Sequence, residues 1–106
     1  MKMISAYVRT QRASNVIRAL YDAGITGLTV YMVCGLSGEQ STFLHSVEPF
    51  EPTHLPESVK LEIICEEGML DKIVALIAQS AKTGYPGDGM IAVQDVERAT
   101  RIREID

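Results

Sequence analysis

The apolar positions of this chain change period several times along its length. From Lys2 to Arg9 (KMISAYVR) they alternate, with Ile4, Ala6 and Val8 on one side and Met3, Ser5, Tyr7 and Arg9 on the other. A period of two is the mark of a strand with one face buried. Val16, Ile17, Leu20 and Tyr21 then recur at helical spacing, so a helix is expected from a cap at Ser14 to about Ala23, stopped by Gly24. Gly27 to Gly35 (GLTVYMVCG) is a nearly continuous apolar run and reads as a strand buried on both faces. Periodicity disappears between Leu36 and Ser58, where three prolines stand among Ser, Thr and Glu residues. A loop of that length inside a compact domain is uncommon and usually functional.

Val59 to Cys65 (VKLEIIC) is the third expected strand. Leu70, Ile73, Val74, Ile77, Ala78 and Ala81 follow at i, i+3, i+4, i+7, i+8 and i+11, the strongest helical stripe in the chain. It ends at Thr83-Gly84, a glycine-rich turn to Gly89 follows, and Met90 to Val96 is the fourth strand. The order is β-α-β, long loop, β-α-β. Each half buries one helix face against strands, which predicts a single α+β domain over residues 1–106 with the ferredoxin-like split βαβ arrangement (βαββαβ), an antiparallel sheet with two helices on one face. The other sheet face carries Tyr7 and Tyr31 and is left uncovered. Such a face predicts self-association.

Composition narrows the function classes. One hundred and six residues with 46% apolar and 23% charged positions make one ordinary globular domain, not a disordered chain. A formal charge of -4 argues against a nucleic-acid surface. The longest apolar stretch, Gly27 to Leu36, is too short to span a bilayer, and no secretory leader is visible after Lys2. Cys34 and Cys65 lack CxxC spacing, so core or cavity-lining thiols in a reducing, cytoplasmic setting are expected. No Ser/His/Asp set points to an enzyme. His45, Glu48, Glu51 and His54 have no fixed ligand spacing, so solvated loop residues are expected there rather than a metal site. Glu66, Glu67, Asp71 and Lys72 read as a solvated face.

Two segments carry chemistry. Thr83-Gly84-Tyr85-Pro86-Gly87-Asp88-Gly89 places three glycines and a proline within seven residues. Such a loop lets backbone N–H groups converge on phosphate oxygens, or it is a plain helix-to-strand turn. Arg101 and Arg103 stand two residues apart, on one side of an extended tail, as a phosphate clamp or as a solubilising basic end.

TGYPGDGMIAV followed by RATRIR, together with MKMISAYVR, ALYDAGITGLTVYMVCG and LPESVKLEIIC, resembles in order and spacing the P-II nitrogen-regulatory signalling proteins over nearly the whole chain. The resemblance implies a non-enzymatic, cytoplasmic homotrimer that needs no cofactor and does not insert into membranes. It implies adenine nucleotides in clefts between subunits, and residues 36–58 as an effector loop for a target protein, a transporter, enzyme or regulator. Gly84, Gly87, Asp88 and Gly89 match the phosphate loop (83–89), with Met90 directly after it. Arg101 and Arg103 match the C-terminal clamp (98–106) of the neighbouring subunit. Gly27 and Thr29 match that neighbour's contacts to ribose and base, Gly35 the base of the effector loop, and Tyr7, Glu62 and Ile64 the adenine pocket.

The departures carry information too. Met90 stands where the family has lysine, Gly38-Glu39-Gln40 where it has an arginine, and Ser58 where a loop-base lysine helps hold 2-oxoglutarate. The loop has no tyrosine to uridylylate. The resemblance is thus to divergent members, including the type associated with carboxysomes and bicarbonate transport. For those, ADP or AMP over ATP is expected, with bicarbonate as a second ligand. The alternatives are the family's nitrogen-regulatory role and a ferredoxin-like metal or small-molecule module.

Overall fold

In the computed structural model, residues 1–35 and 57–106 are described. Four strands and two helices follow one another as β1 (Lys2–Val8), α1 (Ala13–Asp22), β2 (Leu28–Cys34), β3 (Glu57–Cys65), α2 (Leu70–Ala81) and β4 (Gly89–Asp95). The sheet order is β2-β3-β1-β4, and every pairing is antiparallel. This is the ferredoxin-like βαββαβ arrangement expected from the periodicity.

Alternation decides which residues meet the helices. Ile4, Ala6 and Val8 of β1 and Val59, Leu61 and Ile63 of β3 point to one side of the two central strands and are buried. Val16 and Leu20 of α1 and Ile73 and Ile77 of α2 close over them. Burying each such side chain contributes about 1.5–3 kcal/mol. Gly24, at φ +85°, ends the first helical segment in the left-handed region that glycine tolerates.

Several boundaries differ from expectation. α1 starts at Ala13 after a 3-10 turn at Thr10–Arg12, so Ser14 lies inside the helix and does not cap it. β3 begins at Glu57, which takes Ser58 out of the loop and pairs it with Val33. β4 starts one residue earlier than expected, at Gly89, because the ladder to Val8 already forms there. β2 is not buried on both faces. It is an edge strand, with Val30, Tyr31 and Met32 all exposed, because the two helices cover the centre of the sheet and not its rim. Cys34, at the end of that strand, is exposed and not a core thiol, whereas Cys65 is half-buried. Ile102–Glu104 forms a 3-10 turn, so Arg101 and Arg103 do not share one side of an extended strand. Glu66, Glu67, Asp71 and Lys72 are solvent-exposed as expected.

Most of the proposed effector loop, residues 36–56, and the candidate ligands His45, Glu48, Glu51 and His54 fall outside the described residues. Among the described residues, no group of three or more His, Cys, Asp or Glu side chains is placed to hold a metal. No helix among them is long and apolar enough to cross a membrane.

Candidate functional site

The candidate residues fall into two groups at opposite ends of the sheet. Gly89 pairs with Val8, at one end of β1. Leu28 pairs with Ile63, which lies opposite Ile4 near the other end, and Gly27 precedes it. Strand rise and spacing put roughly 20 Å between Gly27 and Gly89 within one chain.

At the first end, the turn from α2 to β4 is closed by one carboxylate. Asp88 accepts hydrogen bonds from the Thr83 backbone N–H at 2.9 Å, the Gly84 backbone N–H at 3.1 Å and the Thr83 hydroxyl. The Thr83 hydroxyl also accepts from the Tyr85 backbone N–H at 3.2 Å. These donors, the Thr83 hydroxyl first, with Arg9 added, hold the Asp88 carboxyl well below the usual carboxylate range. The glycines serve the same geometry. Gly84 and Gly87 sit at φ +90° and +92°. Gly89 is at φ +125°, and a Cβ there would lie 1.8 Å from the Tyr7 carbonyl oxygen. Glycine at 89 is therefore required by the close approach of β4 to β1, whatever else the loop does. The Gly87 and Tyr85 backbones remain at the surface, and Tyr85 is exposed.

At the second end, a groove of about 750 Å³ runs along the sheet margin. Gly27, Thr29, Glu62, Ile64 and Arg101 line it. Half-buried Cys65 lies in its wall, and burial pushes that thiol's pKa up. Arg103 and Met90 are not part of this wall, and Met90 lies exposed on β4 beside Tyr7. Gly35 lies at the other end, the Gly89 end, after Cys34, which pairs with Glu57, and the described residues stop there.

Between the two ends, on the sheet face away from the helices, a polar cluster forms. The Tyr31 hydroxyl donates to Glu62 Oε1 at 3.1 Å, and Lys60 Nζ lies 3.0 Å from Glu62 Oε2. The same ammonium lies over the rings of Tyr7 and Tyr31, 5.7 and 5.4 Å from their centroids. Lys60 and then Tyr31 lower the Glu62 carboxyl's pKa, and Glu62 in turn raises those of Lys60 and Tyr31. Tyr7 and Tyr31 thus lie on the open face as expected, about two-fifths exposed.

Arg9 and Lys60 were not legible as site residues. Arg9 closes an alternating strand and looks like its polar end. Only the register that sets Val8 against Gly89 brings it to the glycine loop.

Comparison with known proteins matches residues 1–105 to the family model described as nitrogen regulatory protein P-II. A nitrogen regulatory protein P-II of Pasteurella multocida is 38% identical over 104 residues, covering 97% of this chain and 92% of that protein. One of Haemophilus influenzae is 36% identical with the same coverage. Nitrogen regulatory protein P-II 1 of Escherichia coli is 38% identical, again over 97% of this chain and 92% of its own length. With the family model spanning almost every residue and the βαββαβ sheet beneath it, the chain belongs to the P-II family of signal-transduction regulators.

Proposed function

We propose that this protein is a homotrimeric regulator that binds an adenine nucleotide between subunits and signals its presence through residues 36–58 to a target protein. The observation that carries this reading is the separation of the two site halves. Within one chain the Gly27–Arg101 groove and the glycine loop lie at opposite ends of the sheet, so a single nucleotide touches both only where two copies meet. The open sheet face supplies apolar surface for that meeting, with Tyr7, Tyr31, Ile64 and Met90 exposed on it. Base and ribose sit in the groove of one copy, against Gly27, Thr29, Glu62 and Ile64. The phosphates sit at the glycine loop of the next, with Arg101 and Arg103 as cations.

The charge inventory favours ADP or AMP over ATP. Met90 and Gly38 bring no cation toward a terminal phosphate. Each charge-assisted bond so omitted is worth about 1.5–3 kcal/mol. A small anion such as bicarbonate is the second ligand that suits this chain, held by backbone N–H groups near Gly35 to Gly38 without a side-chain cation. A nitrogen-regulatory role is the second reading, favoured by the names of the relatives. It calls for 2-oxoglutarate, and Ser58 offers that dicarboxylate no charge.

Light scattering combined with calorimetry tests the reading. A mass of three chains and saturable ADP binding at least as tight as that of ATP are expected, and ATP favoured tenfold would contradict the charge argument. A monomer at micromolar concentration would sink the shared cleft. A saturable 2-oxoglutarate isotherm in MgATP would move the protein to the nitrogen-regulatory reading. Amide hydrogen exchange across residues 36–58, free and with ADP, then with bicarbonate added, tests the signalling step. Protection that ignores ADP would end it.

A further inference from the structure

Asp88 is a fixed negative charge at the centre of the loop proposed above to receive phosphates. An anion approaching the Gly84–Gly89 backbone meets that charge unless something neutralises it. Among the described residues, the cation in contact with Asp88 is Arg9, whose Nε donates to Oδ1 at 3.2 Å. The same guanidinium donates from Nη2 to the Pro86 carbonyl at 2.5 Å. It also packs beside Gly87, where a Cβ would stand 3.2 Å from Nη2. One side chain from the end of β1 therefore grips the glycine loop at 86, 87 and 88.

Arg9 is itself held in place. The 3-10 turn after it ends at Arg12, which donates from Nε at 3.1 Å and Nη2 at 2.7 Å to the Ser80 carbonyl, in the last turn of α2 just before the loop begins. Two arginines three residues apart thus tie one short segment to both ends of the connection between α2 and β4. A guanidinium has five N–H donors. Two are used on Asp88 and Pro86, which leaves three, one of them on the Nη2 beside Gly87.

We propose that Arg9 is a further positioning residue of the phosphate site: it sets the charge and the shape of the glycine loop by neutralising Asp88 and tethering Pro86, and so tunes affinity for the phosphate groups of the nucleotide. This rests on the glycine loop being the phosphate site, and it adds a residue that neither the tail arginines nor the glycines supply. The specificity follows from charge. With Arg9 in place the Asp88 carboxylate is paired with a guanidinium and the loop carries no net negative charge. Without it, Asp88 repels the ligand and the Pro86 carbonyl loses its donor.

The test is calorimetric titration with ADP and with adenosine of the full-length protein, Arg9→Gln, Arg9→Lys, Asp88→Asn and the double variant. Arg9→Gln is expected to weaken ADP about tenfold and to leave adenosine, which has no phosphate, within twofold. Arg9→Lys keeps the charge without the fork and is expected to lose about threefold. In the Asp88→Asn background, Arg9→Gln is expected to cost less than threefold, because no charge is left to neutralise. Equal ADP affinity for Arg9→Gln and the unsubstituted protein overturns the proposal and leaves the nucleotide reading standing. So does an equal loss for adenosine and ADP, or a tenfold effect that persists in the Asp88→Asn background. If Arg9→Gln does not fold, Arg9→Lys decides alone: a loss confined to ADP supports the role, and unchanged ADP affinity overturns it. Absence of ADP binding by the unsubstituted protein fails the nucleotide reading itself, and this inference with it.

Discussion

The two ends of the sheet are built on opposite principles. The glycine loop is internally satisfied: Asp88 takes up the Thr83 and Gly84 N–H groups, and Arg9 takes up Asp88 and Pro86. The groove at Gly27 and Arg101 is open, bordered by an edge strand and a tail with one short 3-10 turn. A preformed loop spends little conformational entropy on ligand binding, whereas an open groove gains its shape when something enters it. In the proposed shared cleft, the closed loop would face the phosphates and the open groove the base and ribose.

Substitutions can break this contrast, the largest expected effect first. Gly89→Ala forces a Cβ against the Tyr7 carbonyl in a backbone region that L side chains rarely adopt. A loss of about 3 kcal/mol is expected, from overpacking and backbone strain together. Urea unfolding measures it, and a loss under about 1 kcal/mol would show that β4 can move away from β1. Arg101→Ala strikes the open end. It is expected to weaken ADP about tenfold with the fold unchanged, read by calorimetry beside circular dichroism. Unchanged affinity would remove Arg101 from the site.

Asp88→Asn sharpens the contrast through pH. The Asp88 carboxyl is held below its ordinary value in the folded chain, so its contribution to stability is present at neutral pH, above the unfolded value of about 3.9. That contribution is lost as pH falls toward the lower folded value. The native chain should therefore lose stability on acidification below about pH 4, and the Asp88→Asn variant should lose less over the same range. Parallel melting curves from about pH 5 to about pH 2 check this, and identical slopes would contradict it. The smallest effect belongs to the open face. Tyr31→Phe deletes the hydroxyl that donates to Glu62, so the Glu62 carboxyl should titrate higher, by carbon-detected NMR, with Lys60 still holding it below its ordinary value. No upward shift would mean that Lys60 alone sets it.

The alternation of Ile4, Ala6 and Val8, the stripe from Leu70 to Ala81 and the glycine at 24 were enough to place the elements, because each is a local period or a local backbone need. The glycine loop was legible as a loop, and the motifs around it as those of a family. Chain order alone misassigned β2. A run of Leu, Val, Tyr and Met reads as interior, yet β2 lies at the sheet edge, where two helices do not reach. The tail arginines were legible as cations, but not the 3-10 turn that separates their directions.

What the sequence determined by itself is the order and type of the elements, the side of β1 that faces the helices, and membership of the P-II family, since periodicity and motif spacing are properties of neighbours along the chain. Only the tertiary structure decided that Asp88 is occupied by Thr83, Gly84 and Arg9, that Lys60 lies over the rings of Tyr7 and Tyr31, and that Gly27 and Gly89 stand at opposite ends of one sheet. The Thr83 and Gly84 bonds close a local turn, but the Arg9, Lys60 and Gly27–Gly89 placements depend on strand register. Residues 9 and 88, or 31 and 62, meet because backbone ladders set distant segments side by side, and no local pattern encodes which distant residue a side chain will face.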